Sequence, residues 1–220
     1  QDYGGLFSLT ERNGKICAAW EDRRERFSIY GACSTDGGIS YGANFRISPS
    51  DSLQPEIAIA PNGDLYVVYV HDGTFTRDLY LRRSTDNGAT WGVERTVASF
   101  TTDQLRSWDI AVDGSGQIVV TFFQPQGGDN ILYIGTSMED GERFALVPIV
   151  LEDDDVTGTV VTTAGSGENA RAYIGYYGDN DVRVLRLVLD GIAPTAPTNL
   201  TATGAERAIH LAWNASTDAN

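Results

Sequence analysis

Arginines and carboxylates, gathered in short polar runs, are the residues best equipped for chemistry in this 220-residue chain. The run Glu21-Asp22-Arg23-Arg24-Glu25-Arg26 and the separate Arg106 carry guanidinium groups. That planar fork grips a carboxylate through two parallel N–H donors. His71-Asp72 adds an imidazole and a carboxylate. Asp22, Arg23, Arg24, His71, Asp72 and Arg106 are therefore the ligand-binding candidates. For Arg23 and Arg24 the alternative is a solvated loop with local ion pairs, because exposed charges contribute little. His71 has no visible Ser or Cys partner along the chain, so no catalytic triad is read. No local pattern assigns a catalytic residue.

Other chemistries are excluded or weakened by composition. Two His and two Cys are present. A zinc site built from them alone would need all four, yet Cys17 and Cys33 lie far from His71 and His210. Glu152-Asp153-Asp154-Asp155 invites calcium, but its spacing is not that of an EF-hand loop and a solvated acidic loop is expected. Neither a metal nor a cofactor is expected. Thirty acidic against sixteen basic residues leave a net charge of −14, which disfavours a phosphate backbone as partner. No apolar run approaches the roughly 18 residues of a membrane helix. Apolar residues at 41% suffice for a core. The chain opens on Gln, which suggests a mature form or a fragment.

The elements that must position these residues follow from a repeat. Ser34-Thr35-Asp36-Gly37-Gly38-Ile39-Ser40-Tyr41 recurs 50 residues on as Ser84-Thr85-Asp86-Asn87-Gly88-Ala89-Thr90-Trp91. A degenerate copy, Ser137 to Phe144, follows 53 residues later. Asn13-Gly14, Asn62-Gly63 and Ser115-Gly116 each precede a strand-like run. One copy reads as four antiparallel strands, the period of a β-propeller blade. The fourth copy supplies three strands, between Thr159 and Leu189. The expected fold is all-β, a partial propeller of about four blades over residues 1–191. A Pro/Thr linker at 192–198 and two further strands within 199–220 complete the chain. Strand parity puts the Ser-Asp turns on one face. The loops holding the candidates fall on the other, together with the connections between blades.

The Ser-x-Asp-x-Gly-x-Thr-Trp pattern resembles the Asp box, or BNR repeat, of sialidases and their relatives. Ser84, Asp86, Gly88, Thr90 and Trp91 match every fixed position. Ser34, Asp36, Gly38 and Ser40 match in the first copy, and Ser137 and Gly141 in the third. These residues read as structural: Asp and Ser tie the turn, Gly takes a positive φ, and Trp91 anchors between sheets. The resemblance implies an arginine clamp on a sugar carboxylate, a Tyr–Glu nucleophile pair and an Asp acid/base. It would cast Arg23, Arg24 and Arg106 as carboxylate contacts and Asp22 or Asp72 as acidic partners, with Tyr176 or Tyr177 near the same loops. Arg46 follows the first turn and reads as a strand residue. The segment from Pro194 through Trp213 resembles the opening of a fibronectin type III domain, with Trp213 as its core tryptophan.

The implied protein is extracellular or on the cell surface, with glycans or glycoproteins as partners and further domains on the same polypeptide. The first reading is a sialidase-like module that recognises glycans or proteins without catalysis. The alternatives are part of an exo-α-sialidase whose remaining catalytic residues lie upstream, and a structural or adhesive repeat. Cys17 and Cys33 fall on paired strands, and both a disulfide and two reduced thiols fit.

Overall fold

A computed structural model describes residues 6–23, 26–49, 51–71, 78–99, 105–126, 129–138, 140–151, 156, 158–178 and 181–189, together with the backbone of 198–205 and 208–214. Blade 1 comprises β1 (Phe7–Arg12), β2 (Lys15–Asp22), β3 (Ser28–Ser34) and β4 (Phe45–Arg46). Blade 2 comprises β5 (Ser52–Ile59), β6 (Leu65–His71), β7 (Leu79–Ser84) and β8 (Arg95–Ala98). Blade 3 comprises β9 (Arg106–Val112), β10 (Ile118–Gln126), β11 (Asp129–Ser137) and β12 (Ala145–Leu151). Blade 4 has three strands, β13 (Gly158–Ala164), β14 (Arg171–Gly178) and β15 (Asp181–Val188). Neighbours in sequence pair antiparallel throughout, the up-and-down order of a four-blade β-propeller. A separate hairpin joins β16 (Thr198–Ala205) to β17 (Ala208–Asn214).

Apolar side chains on alternate faces of each blade build the core. In β6 the run Leu-Tyr-Val-Val-Tyr-Val is buried on both sides. Leu65, Val67 and Tyr69 meet Cys17, Ala19, Ile29 and Ile47 of blade 1. Tyr66, Val68 and Val70 meet Ile110, Ile118, Val120 and Phe122 of blade 3. A strand sandwiched between two sheets needs no polar face, so its sequence does not alternate. Blades 3 and 4 repeat the arrangement with Phe123, Leu132 and Ile134 against Val161, Ala172, Ile174 and Tyr176. At the two ends of the series the same pattern meets no sheet. Phe7 and Leu9 in blade 1 are 74% and 61% exposed, and Val160 and Val182 in blade 4 are 64% and 67% exposed.

The Ser-Asp turns close on themselves. Ser84 Oγ donates to Asp86 Oδ1 at 2.8 Å and accepts the Gly88 N–H at 2.8 Å. Asp86 in turn accepts the Thr90 N–H at 2.8 Å. Ser34, Asp36, Gly38 and Ser40 repeat the set, with Ser40 N to Asp36 at 2.9 Å. The third copy keeps the Gly141 N–H on Ser137 Oγ at 3.2 Å. These donated bonds hold the Asp36 and Asp86 carboxyls below the usual aspartate range. Gly88 and Gly141 do more than supply a positive φ. A Cβ on Gly88 would lie 2.6 Å from the Phe45 ring, and one on Gly141 would lie 2.6 Å from Leu81. Each glycine therefore admits a side chain of the preceding blade. Cys17 and Cys33, directly opposite on β2 and β3, form a disulfide, which settles the two thiol readings.

The two ends of the blades are built differently. At the turn end, side-chain-bearing residues with positive φ are Asn13, Asn87 and Asp140. At the opposite end they include Arg26, Phe27, Gln54 and Ser107. Asn and Asp tolerate the left-handed region, whereas Phe, Arg and Gln occupy it at a cost of order 1 kcal/mol each or more.

Candidate functional site

The sequence candidates scatter when placed on this frame. Asp22 ends β2 and accepts the Trp20 indole N–H at 3.4 Å. The Arg23 guanidinium lies 5.3 Å from the centre of the Phe27 ring in its own loop. Arg106 opens β9, two blades away, with its side chain exposed. Arg24 and Asp72 lie outside the described residues, as do Glu139 and Asp153-Asp154-Asp155. Of the described arginines, Arg46 and Arg82 line one cavity of about 470 Å³ with Glu94, and neither Arg23 nor Arg106 joins them there. Among the described residues no group of three His, Cys, Asp or Glu side chains suits a metal ion. Arg46 is a residue of β4, and its guanidinium donates to the Ser48 carbonyl at 2.8 Å.

His71 corrects the sequence reading twice. It ends β6 instead of lying in a loop, and it has a serine partner. Its Nδ1 is 3.0 Å from Ser52 Oγ and its Nε2 is 2.9 Å from Glu94 Oε1. The Tyr69 hydroxyl donates to the same Glu94 oxygen. Ser52 and His71 are opposite each other in the β5–β6 register, a relation that a separation of 19 positions in the sequence conceals. The Ser–His–Glu row is nevertheless a lock and not a nucleophile. Ser52 is fully buried and also donates to the Pro49 carbonyl at 3.2 Å, so no substrate reaches its hydroxyl.

The site that sequence reasoning missed lies on the propeller axis. The inner strands β1, β5, β9 and β13 line a channel of about 440 Å³. Arg12 crosses its turn-side end to donate to the Val112 carbonyl, which Thr163 Oγ1 also meets at 3.0 Å. The other end opens into a cavity of about 330 Å³ lined by Leu6, Phe7, Gln54, Glu56, Ser107 and Trp108. Glu56 lines both spaces.

Two bulges shape this mouth. The β5–β6 register slips between Leu53 and Glu56, and the β9–β10 register slips between Phe122 and Phe123. The displaced residues are Gln54 at φ 55° and Ser107 at φ 34°. Side-chain and backbone bonds fix both. Gln54 N donates to Glu21 Oε1 at 2.8 Å, and the Gln54 carbonyl accepts the Trp108 indole N–H at 2.8 Å. Ser107 Oγ accepts the Thr159 N–H at 2.9 Å. Bulges and strained φ values held by their surroundings are typical of functional sites.

Glu56 and Asp109 are the titratable pair here. Asp109 is anchored: Oδ2 accepts Val161 N–H at 2.7 Å and Oδ1 accepts Ile110 N–H at 2.8 Å. Ser8 makes a similar staple by accepting Ile57 N–H at 3.2 Å. Burial pushes the Glu56 carboxyl up to about 7, a hydrogen bond from Ser8 opposing and the Asp109 charge adding to the rise. Burial likewise raises Asp109 to about 6 against its two backbone N–H bonds. Near neutral pH, Glu56 is therefore a carboxylic acid about as often as a carboxylate, able to donate a proton beside a fixed anion.

The same shifts make stability pH-dependent. Both folded pKa values lie above their unfolded ones, so the folded chain binds more protons in this window. Stability rises as pH falls from about 7 toward 4.5 and is lost as pH rises through 6 to 7. Asp36 and Asp86 act oppositely, but only below about pH 4. Urea midpoints are expected to place pH 5 above pH 8 by on the order of 1–2 kcal/mol, with Glu56→Gln flattening the difference. Equal midpoints at the two pH values would contradict the buried pair.

The fold resembles glycoside hydrolase propellers. The α-L-arabinanase of Penicillium chrysogenum, solved with arabinobiose, superposes with a TM-score of 0.58 at 18% identity, covering 87% of this chain and 60% of that one. The endo-arabinase of Bacteroides thetaiotaomicron gives 0.56 at 16% identity, covering 86% and 75%. The leech intramolecular trans-sialidase gives 0.51 at 12% identity, covering 84% and 31%. This chain thus spans 60% of the Penicillium chain and under a third of the leech chain. No family model and no curated protein matches the sequence. Identities this low carry the architecture alone: an all-β propeller of four blades.

Proposed function

We propose that this propeller binds a neutral glycan at the mouth of its axial channel, as an exported carbohydrate-active module. The carrying observation is the channel mouth itself, where strained bulges aim Glu56, Gln54 and Trp108 into one cavity. Charge selects the ligand class. At the mouth and in the channel next to it the charged lining residues are Glu56 and Asp109, with Arg12 held at the far end, so a sialic acid carboxylate entering there would meet repulsion. That argues against the sialidase reading and favours neutral sugars. The Ser-Asp turns support kinship with Asp-box propellers, in which the motif is architectural. The Cys17–Cys33 bond supports an oxidising compartment. The β16–β17 hairpin is compatible with the opening of a fibronectin type III sandwich.

A second reading, hydrolysis, is favoured by the placement of Glu56, which lines both the channel and the mouth cavity and shares the channel with Asp109, where burial pushes its carboxyl up to about 7. Such a group can protonate a glycosidic oxygen as the bond to the anomeric carbon breaks, while water forms the new bond to that carbon and gives up its proton to a carboxylate. The test titrates the chain with arabinobiose, xylobiose and 3′-sialyllactose while following turnover of an aryl α-L-arabinofuranoside. Binding of a neutral disaccharide but not of the sialoside, at least tenfold weaker in Glu56→Ala, supports the recognition reading. Turnover that falls above pH 7 and vanishes in Glu56→Gln, with binding kept, establishes hydrolysis. Tight binding of sialyllactose alone, or no binding by any of the three, overturns both.

A further inference from the structure

We propose that the cleft between the Ser-Asp turns of blades 1 and 2 is a second saccharide site, on the face opposite the channel mouth. It holds about 550 Å³ and is lined by Thr35, Tyr41, Asn44, Phe45, Asn87 and Ala89, among others. The volume falls within the range of small-ligand clefts.

The cleft exists because of a two-residue exchange between neighbouring blades. In blade 2, Leu81 projects onto Gly141 of blade 3 and fills that junction. Arg95 then reaches Glu142 at 2.8 Å and bridges the turns. In blade 1 the position of Leu81 is held by Gly31 and that of Arg95 by Phe45, as the matching registers show. A Cβ on Gly31 would lie 2.6 Å from the Phe45 ring, so Phe45 lies across the space that a leucine would occupy. It reaches Gly88 and rests against Trp91 at 5.9 Å between ring centres. The core is thereby restored, but the bridge is lost. The residue at the Glu142 position is Ala89, and no ion pair spans the gap.

The lining selects the ligand chemistry. None of the residues lining this cleft is charged, on a protein of net charge −14. The floor is the Phe45 ring, and Tyr41 stands at the side with about half its surface exposed. Asn87, which lines the cleft, accepts a hydrogen bond on Oδ1 from Lys15 Nζ, so its NH₂ donors are not used by that contact. Lys15 also donates to the Gly63 carbonyl at 2.9 Å. An aromatic face flanked by hydroxyl and amide donors and acceptors, without ions, suits the stacked face and hydroxyl rim of a neutral sugar ring. This site stands independently of the axial one.

The test is a ¹⁵N–¹H correlation titration of the full chain with xylobiose, arabinobiose, cellobiose and lactose. Shifts at the amides of Tyr41, Asn44 and Asn87 are expected with at least one of them. Affinity read at those amides is expected to weaken at least tenfold in Tyr41→Ala and in Ala89→Arg, which puts a long charged side chain into the gap. Retained peak dispersion shows that each variant is folded. Shifts confined to the channel mouth, unchanged affinity in both variants, or no shift with any of the four sugars overturns the proposal.

Discussion

Phe122→Ala is expected to cost about 3–5 kcal/mol of stability, read as a lowered urea midpoint with an unchanged slope. Phe122 is completely buried in β10, on the face that meets blade 2. Its ring stacks on Tyr133 with centres 5.0 Å apart and planes 8° from parallel. Truncation therefore removes a large apolar surface and a ring contact together. The surrounding strands cannot close the space, because Val120 and Ile118 are pinned by β-ladders on both sides. A blade-to-blade interface also couples two sheets, so the loss is felt by the whole unit. Phe7→Ala serves as the control. That residue is 74% exposed, and its removal should change stability by less than about 0.5 kcal/mol. A loss below 1 kcal/mol for Phe122→Ala would mean that blades 2 and 3 do not share one core.

Removing the disulfide is expected to cost about 3 kcal/mol. Cys17 and Cys33 are separated by 16 residues, and the loop-entropy argument gives roughly that value for a ring of this size. Blade 1 depends on it more than a central blade would. It packs against one described neighbour, and its fourth strand is two residues long. Cys17→Ala with Cys33→Ala avoids placing hydroxyls in a site where Cys17 is fully buried. Thermal unfolding of the oxidised chain, the reduced chain and the double variant gives the comparison. Reduced chain and variant should melt together and below the oxidised chain. Coincidence of all three would show that the bond adds nothing to the folded state.

The architecture was legible because the information is local and repeated. Asn-Gly turns, apolar runs and Ser-x-Asp-x-Gly turns recur at fixed spacing, and hydrogen bonds within each turn make every copy self-contained. Strand parity then put the turns on one end without knowledge of the ring. The axial site was not legible for the opposite reason. Glu56 sits in an ordinary strand sequence, and Asp109 in another, 53 residues on. Only the ring brings the two inner strands side by side. Ser52, His71 and Glu94 illustrate the same limit, since they come from β5, β6 and the segment just before β8. Charged runs such as Asp22-Arg23-Arg24 drew attention by composition, yet Arg23 stacks on its own loop and Arg106 stands two blades off. The role of Gly88 was half read: its positive φ follows from the turn, whereas the Phe45 ring against it belongs to another blade.

The unequal treatment of the two blade ends has a consequence for how this scaffold can change. At the turn end, left-handed backbone falls on residues that adopt it readily, and side chains of Ser and Asp are spent inside their own turns. Substitution there removes support and returns nothing. At the mouth, Arg26, Phe27, Gln54 and Ser107 hold left-handed backbone against their own preference. Replacing Gln54 or Ser107 by glycine or asparagine would relax that backbone; at Gln54 the backbone bonds to Glu21 and Trp108 can persist, while at Ser107 the Oγ bond to the Thr159 N–H is lost. The mouth is thus the end where sequence can drift toward a new ligand with the blades left intact, and where relaxing the backbone at Ser107 would make binding less selective.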